Sequence, residues 1–218
     1  RTLVERRTLL AVLTIIVSIV VGWGVTKTSI DPRSDAILPE DDPYAAEVKA
    51  VEADFPRSRS ALFTFIAPDG DIFNREALTA MEALHARFGE VQSAVAVGSM
   101  VNYRLNAVDE TIYGRQYLLP PVDSLSDNDL AEVRDIALAD EDLVKTQLAR
   151  DGDMALAIFK YRPSGEGLSE RLEIARSVVA LRDRLRGDYP GVEIYVLGND
   201  LFELDSYNAQ IKDRNNLA

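Results

Sequence analysis

The stretch SALFTFIAPDGDIFNREALTAMEALHARFGEVQSAVAV, residues 60–97, decides the fold of this 218-residue chain. It opens on an apolar run rich in β-forming side chains, which the turn at residues 68–71 closes, so a strand is predicted there. Asn74 is a good N-cap for the helix that follows, and Gly89 stops that helix. The apolar face of the helix contains Ala77, Met81, Leu84 and Phe88. Residues 91–97 predict a second strand, which completes a βαβ unit.

A second unit with the same order of elements occupies residues 154–197. The segment MALAIFKY, residues 154–161, predicts a strand, and Ser169 is the expected cap of the next helix. The apolar face of this helix repeats the spacing of the first and contains Ile174, Val178, Leu181 and Leu185. Residues 192–197 predict the closing strand. Two such units can share one four-stranded sheet with both helices on one face, so we expect an α+β fold of the ferredoxin-like, split-βαβ kind.

Residues 98–150 separate the two units and are expected to form a helical and loop insertion. Its loop carries three aromatic side chains, Tyr103, Tyr113 and Tyr117. Ser126 is a candidate cap for a first helix, and residues 141–150 predict a second. The three tyrosines fit ordinary packing, but they could also line a path for an apolar ligand.

The C-terminal residues 200–218 read as a helix with Leu201, Leu204 and Ile211 on roughly one face. Two interpretations remain open for this helix. It either frays at its end, or it leads toward a further membrane helix that the chain does not reach.

The N-terminal part has a different character. LLAVLTIIVSIVVGWGV, residues 9–25, is the core of an uncharged run at residues 8–26. As a helix this run spans roughly 28 Å, close to the hydrocarbon thickness of a bilayer. Trp23 lies near one end, where its ring prefers the membrane interface, and Arg6 and Arg7 flank the other end. The pattern predicts a membrane anchor with a cytoplasmic N-terminus, although a cleaved signal peptide and a buried core helix are alternatives.

The chain therefore divides into four predicted parts. Residues 1–27 form a cytoplasmic tip and transmembrane helix, and residues 28–56 form a linker with a short helix at about 43–54. Residues 57–199 form the exported α+β domain. Residues 200–218 form the final helix. If the anchor is cytoplasmic at its N-terminus, the α+β domain lies in the periplasm, and the lipid bilayer is a partner.

Composition excludes several functions. The net charge of −12 argues against nucleic-acid binding, which needs a basic footprint. The chain has no cysteine and one histidine, His85, so no zinc site or cysteine nucleophile is expected, and we predict no catalytic residue, metal or cofactor. His85 fits a structural or surface role. The acidic residues between positions 31 and 42 read as a solvated linker, with a Ca²⁺ site as the lesser alternative.

The order of parts resembles the first quarter of an exporter of the RND superfamily, in its MMPL-like branch. The residues that carry the resemblance are the linker DPRSDAILPEDDP at 31–43, the Phe55-Pro56 step, and the exit from the closing strand at Leu197-Gly198-Asn199. The resemblance implies a porter domain anchored in the bacterial inner membrane and proton-driven export of a hydrophobic or lipidic substrate. It implies no enzymatic activity. Its implied partners are the remainder of the transporter and oligomer mates.

Two other functions remain open. The first is a single-pass, membrane-anchored periplasmic binding or adaptor module, which needs only the anchor and the soluble domain. The second is a membrane-anchored hydrolase, which would need a carboxylate pair or a Ser/Lys dyad in a cleft. The exporter interpretation alone predicts a further apolar run of about 20 residues soon after Ala218.

Overall fold

The computed structural model describes residues 7–26, 47, 58–106, 109, 113–165 and 167–216. The chain divides into two compact units, Arg1–Ile37 and Leu38–Ala218. The predicted linker at residues 28–56 and its short helix lie outside the described residues, apart from Glu47, which is helical.

The first unit contains helix α1, Arg7–Thr26, over the uncharged run. Its apolar side chains from Val12 to Val20 are more than half exposed in this unit. Among the described residues, no helix combines the length and the apolar character needed to cross a membrane.

The second unit is built on one four-stranded sheet with the order β2-β3-β1-β4, in which all neighbours are antiparallel. The strands are β1 (Arg59–Ile66), β2 (Ala94–Gly98), β3 (Met154–Tyr161) and β4 (Glu193–Leu197). Each predicted βαβ unit is thus split by a strand from the other. The prediction of an α+β fold with a single four-stranded sheet is confirmed.

Five helices of this unit are long enough to name, within the described ranges. They are α2 (Arg75–Arg87), α3 (Asp127–Ala139), α4 (Glu141–Thr146), α5 (Leu168–Asp188) and α6 (Asn199–Asn216). Short 3-10 turns lie at Phe88–Glu90, Met100–Asn102 and Val122–Ser124. The caps predicted for α2 and α3 are confirmed: the Asn74 side chain accepts from Ala77 N, and Ser126 forms a capping box with Asp129.

The core lies between the sheet and the two helices that belong to the βαβ units. Phe63 and Phe65 of β1 and Phe159 of β3 are fully buried, because alternate residues of a strand point to the same face. They share one cluster with the apolar faces of α2 and α5. The face predicted for α5 is buried throughout, and the α2 face is buried except at Phe88, which is partly covered.

Three sequence predictions need correction. Strand β2 starts at Ala94 rather than at residue 91, because Ser93 adopts a left-handed φ of 65° that a strand does not accommodate. The second helix of the insertion ends at Thr146 rather than at residue 150, since the chain then pairs with β3 through a bridge between Leu148 and Ala155.

The third correction concerns the start of α5. Gly167 is the N-cap, and no side chain caps this end, so Ser169 lies inside the first turn. The Glu170 side chain instead bonds to backbone groups that precede the helix. Its carboxylate accepts from Ser164 N at 2.8 Å and from Gly165 N at 3.0 Å. The bond that the Ser164 hydroxyl donates to the same carboxylate at 2.7 Å, together with these backbone bonds, lowers the pKa of Glu170.

The predicted C-terminal helix is α6, which begins directly after β4. Leu201 and Leu204 are buried and Ile211 is half-buried, as the helical spacing indicates. Leu217 and Ala218, at the end of the predicted range, lie outside the described residues.

Candidate functional site

The sequence predicts no cysteine nucleophile and no zinc site, so the tyrosines of the insertion are the starting point. Within the ranges that the structure describes, no group of three or more His, Asp or Glu side chains could hold a metal ion. Tyr103 follows the 3-10 turn at Met100–Asn102 and pairs with the segment around Tyr117. Leu118 N donates to the Tyr103 carbonyl at 3.0 Å, and Arg104 and Tyr117 form an isolated bridge.

The Tyr103 side chain is held in place by α4. Its hydroxyl donates to Asp140 Oδ2 at 2.8 Å. Asp140 is also the N-cap of α4, since its Oδ1 accepts from Asp142 N at 2.9 Å and from Leu143 N at 3.0 Å. Burial and the bond to Asp140 raise the pKa of Tyr103 to about 12. Tyr103 therefore remains a neutral hydrogen-bond donor at physiological pH, and its ring forms a fixed wall.

A cleft of about 520 Å³ lies beside this wall. Its lining contains Tyr103, Tyr113 and Arg104 together with carboxylates from the insertion. Ile136 and Ala139 are the apolar aliphatic members of the lining. The structure thus brings two of the three predicted tyrosines to one cleft.

Tyr117 is not part of the lining that the structure describes, and its side chain is 48% exposed. Tyr113 is 38% exposed, and the Arg115 guanidinium lies 6.0 Å from the centre of its ring. Arg115 in turn forms an ion pair with Glu132 of α3 at 3.5 Å. This chain of contacts ties the Tyr113 segment to α3.

The lining is mainly acidic, which the aromatic pattern alone did not predict. Four carboxylates face the cleft, and they belong to Asp109, Asp140, Glu141 and Asp142. One of these charges is neutralised, because Glu141 forms an ion pair with Lys145 at 2.8 Å, and Asp109 accepts a bond from the neutral amide of Asn106 at 2.6 Å. The remaining negative charge of the lining favours binding of a polar or positively charged group in the cleft over an apolar chain.

His85 has a partner that sequence spacing did not reveal. Its Nε2 lies 2.7 Å from Ser99 Oγ. Ser99 is only 1% exposed, and its Oγ also accepts from Val101 N at 3.2 Å. A buried hydroxyl with no open approach cannot attack a substrate, so the pair joins α2 to the turn after β2. Burial lowers the pKa of His85, which keeps the imidazole neutral.

A buried ionic cluster lies where β1, β3, α5 and α6 meet. Asp200 is 1% exposed, and its carboxylate accepts from Arg59 Nη1 at 2.8 Å and from the Tyr161 hydroxyl at 2.8 Å. Arg171, 2% exposed, lies 3.9 Å from Asp200 and 3.2 Å from Glu203. Burial and the Asp200 carboxylate raise the pKa of Tyr161 well above its usual range. Sequence reasoning missed this cluster, because its members are up to 144 positions apart, Arg59 to Glu203.

The predicted anchor residues can be followed only in part. Arg6 lies outside the described residues. Arg7 and Trp23 belong to α1, but their side chains are not among those described.

Comparison with known proteins adds no assignment to these observations. No protein-family model matches the chain, and no curated protein matches it at a significant level.

Proposed function

We propose that this chain is part of a proton-driven membrane exporter of the RND type, in which residues 57–199 form a ferredoxin-like porter domain. The observation that carries the proposal is the strand order β2-β3-β1-β4. It is the split-βαβ order, with a long insertion between the two units. The resemblance drawn from the linker and the closing strand implies a domain of this architecture.

The N-terminal sequence supports a membrane location. The run at residues 8–26 has no charge, and arginines precede it. These features fit an anchor in a bacterial inner membrane with a cytoplasmic N-terminus and a periplasmic porter domain. The lipid bilayer is then a partner, together with the remainder of the transporter and its oligomer mates.

The volume and the lining of the cleft limit the class of substrate that it can bind. Its volume of about 520 Å³ lies in the usual range of small-molecule sites. Because Tyr103 and Tyr113 stand among carboxylates, an amphipathic molecule fits better than a purely apolar one. We propose that the substrate of this exporter is hydrophobic or lipidic and that its polar head is the part that contacts the cleft.

One observation favours a second function. Phe202 is 74% exposed and Leu197 is 62% exposed, and they lie five positions apart at the junction of β4 and α6. Large apolar side chains exposed close together in the chain are candidates for a contact surface. They fit a neighbouring part of the transporter, but they also fit the partner of a single-pass, membrane-anchored binding or adaptor module.

Counting membrane passes distinguishes the two functions. The complete gene that encodes this chain is fused to alkaline phosphatase, active only in the periplasm, and to a fluorescent protein that matures only in the cytoplasm, at a series of positions. The exporter predicts periplasmic activity for fusions within residues 57–199 and several further passes, the first starting within roughly ten positions of Ala218. A single pass would overturn the exporter in favour of the adaptor. Fluorescence, without phosphatase activity, of fusions within residues 57–199 would place this domain in the cytoplasm and would overturn both functions.

A further inference from the structure

Helix α6 has little apolar surface with which to hold its direction. Leu201 joins the main core, and Leu204 packs in a small satellite cluster with Leu172 and Ala175 of α5. The next apolar positions, Tyr207 and Ile211, are only half-buried. Apolar contacts of this kind are non-directional, so a few of them permit the helix to pivot.

The ionic cluster provides the contacts that can fix the orientation of α6. It consists of two cations, Arg59 and Arg171, two anions, Asp200 and Glu203, and the Tyr161 hydroxyl. Arg59 lies on β1, Tyr161 on β3 and Arg171 on α5, and both anions lie in the first two turns of α6. Two cations thus face two anions, and three other elements contact α6 through the cluster.

Burying these charges adds little net stability. Each buried ion loses its hydration, and the attraction between the ions repays this loss only when the geometry is well matched. Unlike apolar contacts, hydrogen bonds and ion pairs require a set distance and angle. The bonds to Asp200 fix one point of α6, and the pair between Arg171 and Glu203, one turn further on, fixes a second point and so the direction of the helix. In some proteins, buried ionic groups specify one arrangement of the packed elements.

We propose that the cluster of Arg59, Tyr161, Arg171, Asp200 and Glu203 is an orientation lock, which makes α6, α5 and the sheet move as one rigid body. The lock does not depend on the exporter assignment. One consequence does rest on the proposed function: in the exporter, α6 leads toward the next membrane helix. A locked α6 would then carry any rotation of the porter domain directly into that helix.

The test is a distance measurement between two spin labels. The chain has no cysteine, so Ala180→Cys on α5 and Asn208→Cys on α6, both exposed positions, can be labelled uniquely. We expect one narrow distance distribution in the otherwise unchanged chain. In the double variant Arg171→Met and Glu203→Met, one cation and one anion are removed together, and Asp200 keeps its bonds to Arg59 and Tyr161. We expect this variant to fold and to lose the single narrow peak.

A matched control removes an exposed ion pair that also joins two helices. Arg87 of α2 bonds Asp188 of α5 at 2.5 Å, and neither side chain is buried. Arg87→Met with Asp188→Leu should leave the narrow peak unchanged. If the Arg171→Met/Glu203→Met variant keeps the same narrow peak, the lock is wrong. Should that variant fail to fold, Glu203→Leu alone removes the ion pair and leaves Arg171 3.9 Å from Asp200, and an unbroadened peak there would equally overturn the proposal.

Discussion

Single polar side chains of α2 hold the insertion against the domain. Arg75 donates to the carbonyl of Val122 at 2.9 Å and to that of Leu125 at 2.7 Å. Glu82, two turns along the same helix, accepts from Val122 N at 2.9 Å. The Val122 carbonyl also accepts from Leu125 N within the turn, so Arg75 adds a second bond there, and the other two bonds reach the backbone at either end of the 3-10 turn. The insertion is therefore positioned by residues that its own sequence does not contain.

The pairing of His85 with Ser99 predicts a pH dependence of stability. Burial places the pKa of His85 below 6.5 in the folded protein, so the unfolded chain takes up a proton first as the pH falls. The free energy of unfolding should be highest above pH 6.5 and should fall as the pH drops through 6.5. Urea unfolding between pH 8 and pH 5 measures it.

The control for this prediction is His85→Gln, whose amide can still bond Ser99 but does not titrate. The free energy of unfolding of the unchanged chain minus that of the variant should decrease as the pH falls, because only the unchanged chain loses stability through the histidine. A constant difference over the whole range would show that His85 does not titrate as its burial requires.

Gly198 predicts a destabilising substitution. A Cβ at this position would lie 3.1 Å from the Ser60 carbonyl oxygen and 2.9 Å from Leu201 Cδ1. Gly198→Ala should lower the free energy of unfolding by about 1–3 kcal/mol, because the backbone of β1 cannot move aside. Gly187→Ala in α5, where a Cβ meets nothing, should instead raise it by about 0.5–1 kcal/mol. Equal effects of the two substitutions in thermal unfolding would contradict the close approach at Gly198.

At the scale of elements, two of the three helix caps predicted from the sequence are used in the structure, and one is not. Asn74 and Ser126 cap α2 and α3, but Ser169, with equal propensity for the role, does not cap α5. Asn74→Ala and Ser126→Ala should each cost about 1 kcal/mol of stability. Ser169→Ala should change stability by less than about 0.5 kcal/mol, because its exposed side chain caps nothing. A loss at Ser169 as large as that at Asn74 would contradict the observed start of α5.

The elements that the sequence predicted well are those in which local and tertiary preferences agree. In α2 and β3, apolar periodicity, capping and burial all indicate the same bounds, and Met154–Tyr161 matches the prediction residue for residue. The predicted start of β2 and the predicted end of α4 were wrong, since neither bound is set by local sequence preferences. A positive φ at Ser93 and a bridge from Leu148 to β3 leave no local signal in the sequence.

At the scale of the whole molecule, the fold was more predictable than the site. The repeat of strand, helix and strand is visible in the apolar spacing, and it is enough to predict one shared sheet. The cleft was predictable only through its tyrosines. Three of its four carboxylates, Asp140, Glu141 and Asp142, belong to the cap and first turn of α4, which approaches Tyr103 only in the folded chain. The buried cluster around Asp200 was not predictable for the same reason.

Proton-coupled transport tests the central claim most directly. Everted inner-membrane vesicles are prepared from cells that express the complete gene encoding this chain and from cells that lack it. A fluorescent amphipathic lipid probe is added outside, with the vesicle interior acidified. We predict that the probe accumulates inside only the vesicles that contain the protein, and that a protonophore abolishes the accumulation. Accumulation that is the same with and without the protein, or that persists after the pH gradient is collapsed, would contradict a proton-driven exporter.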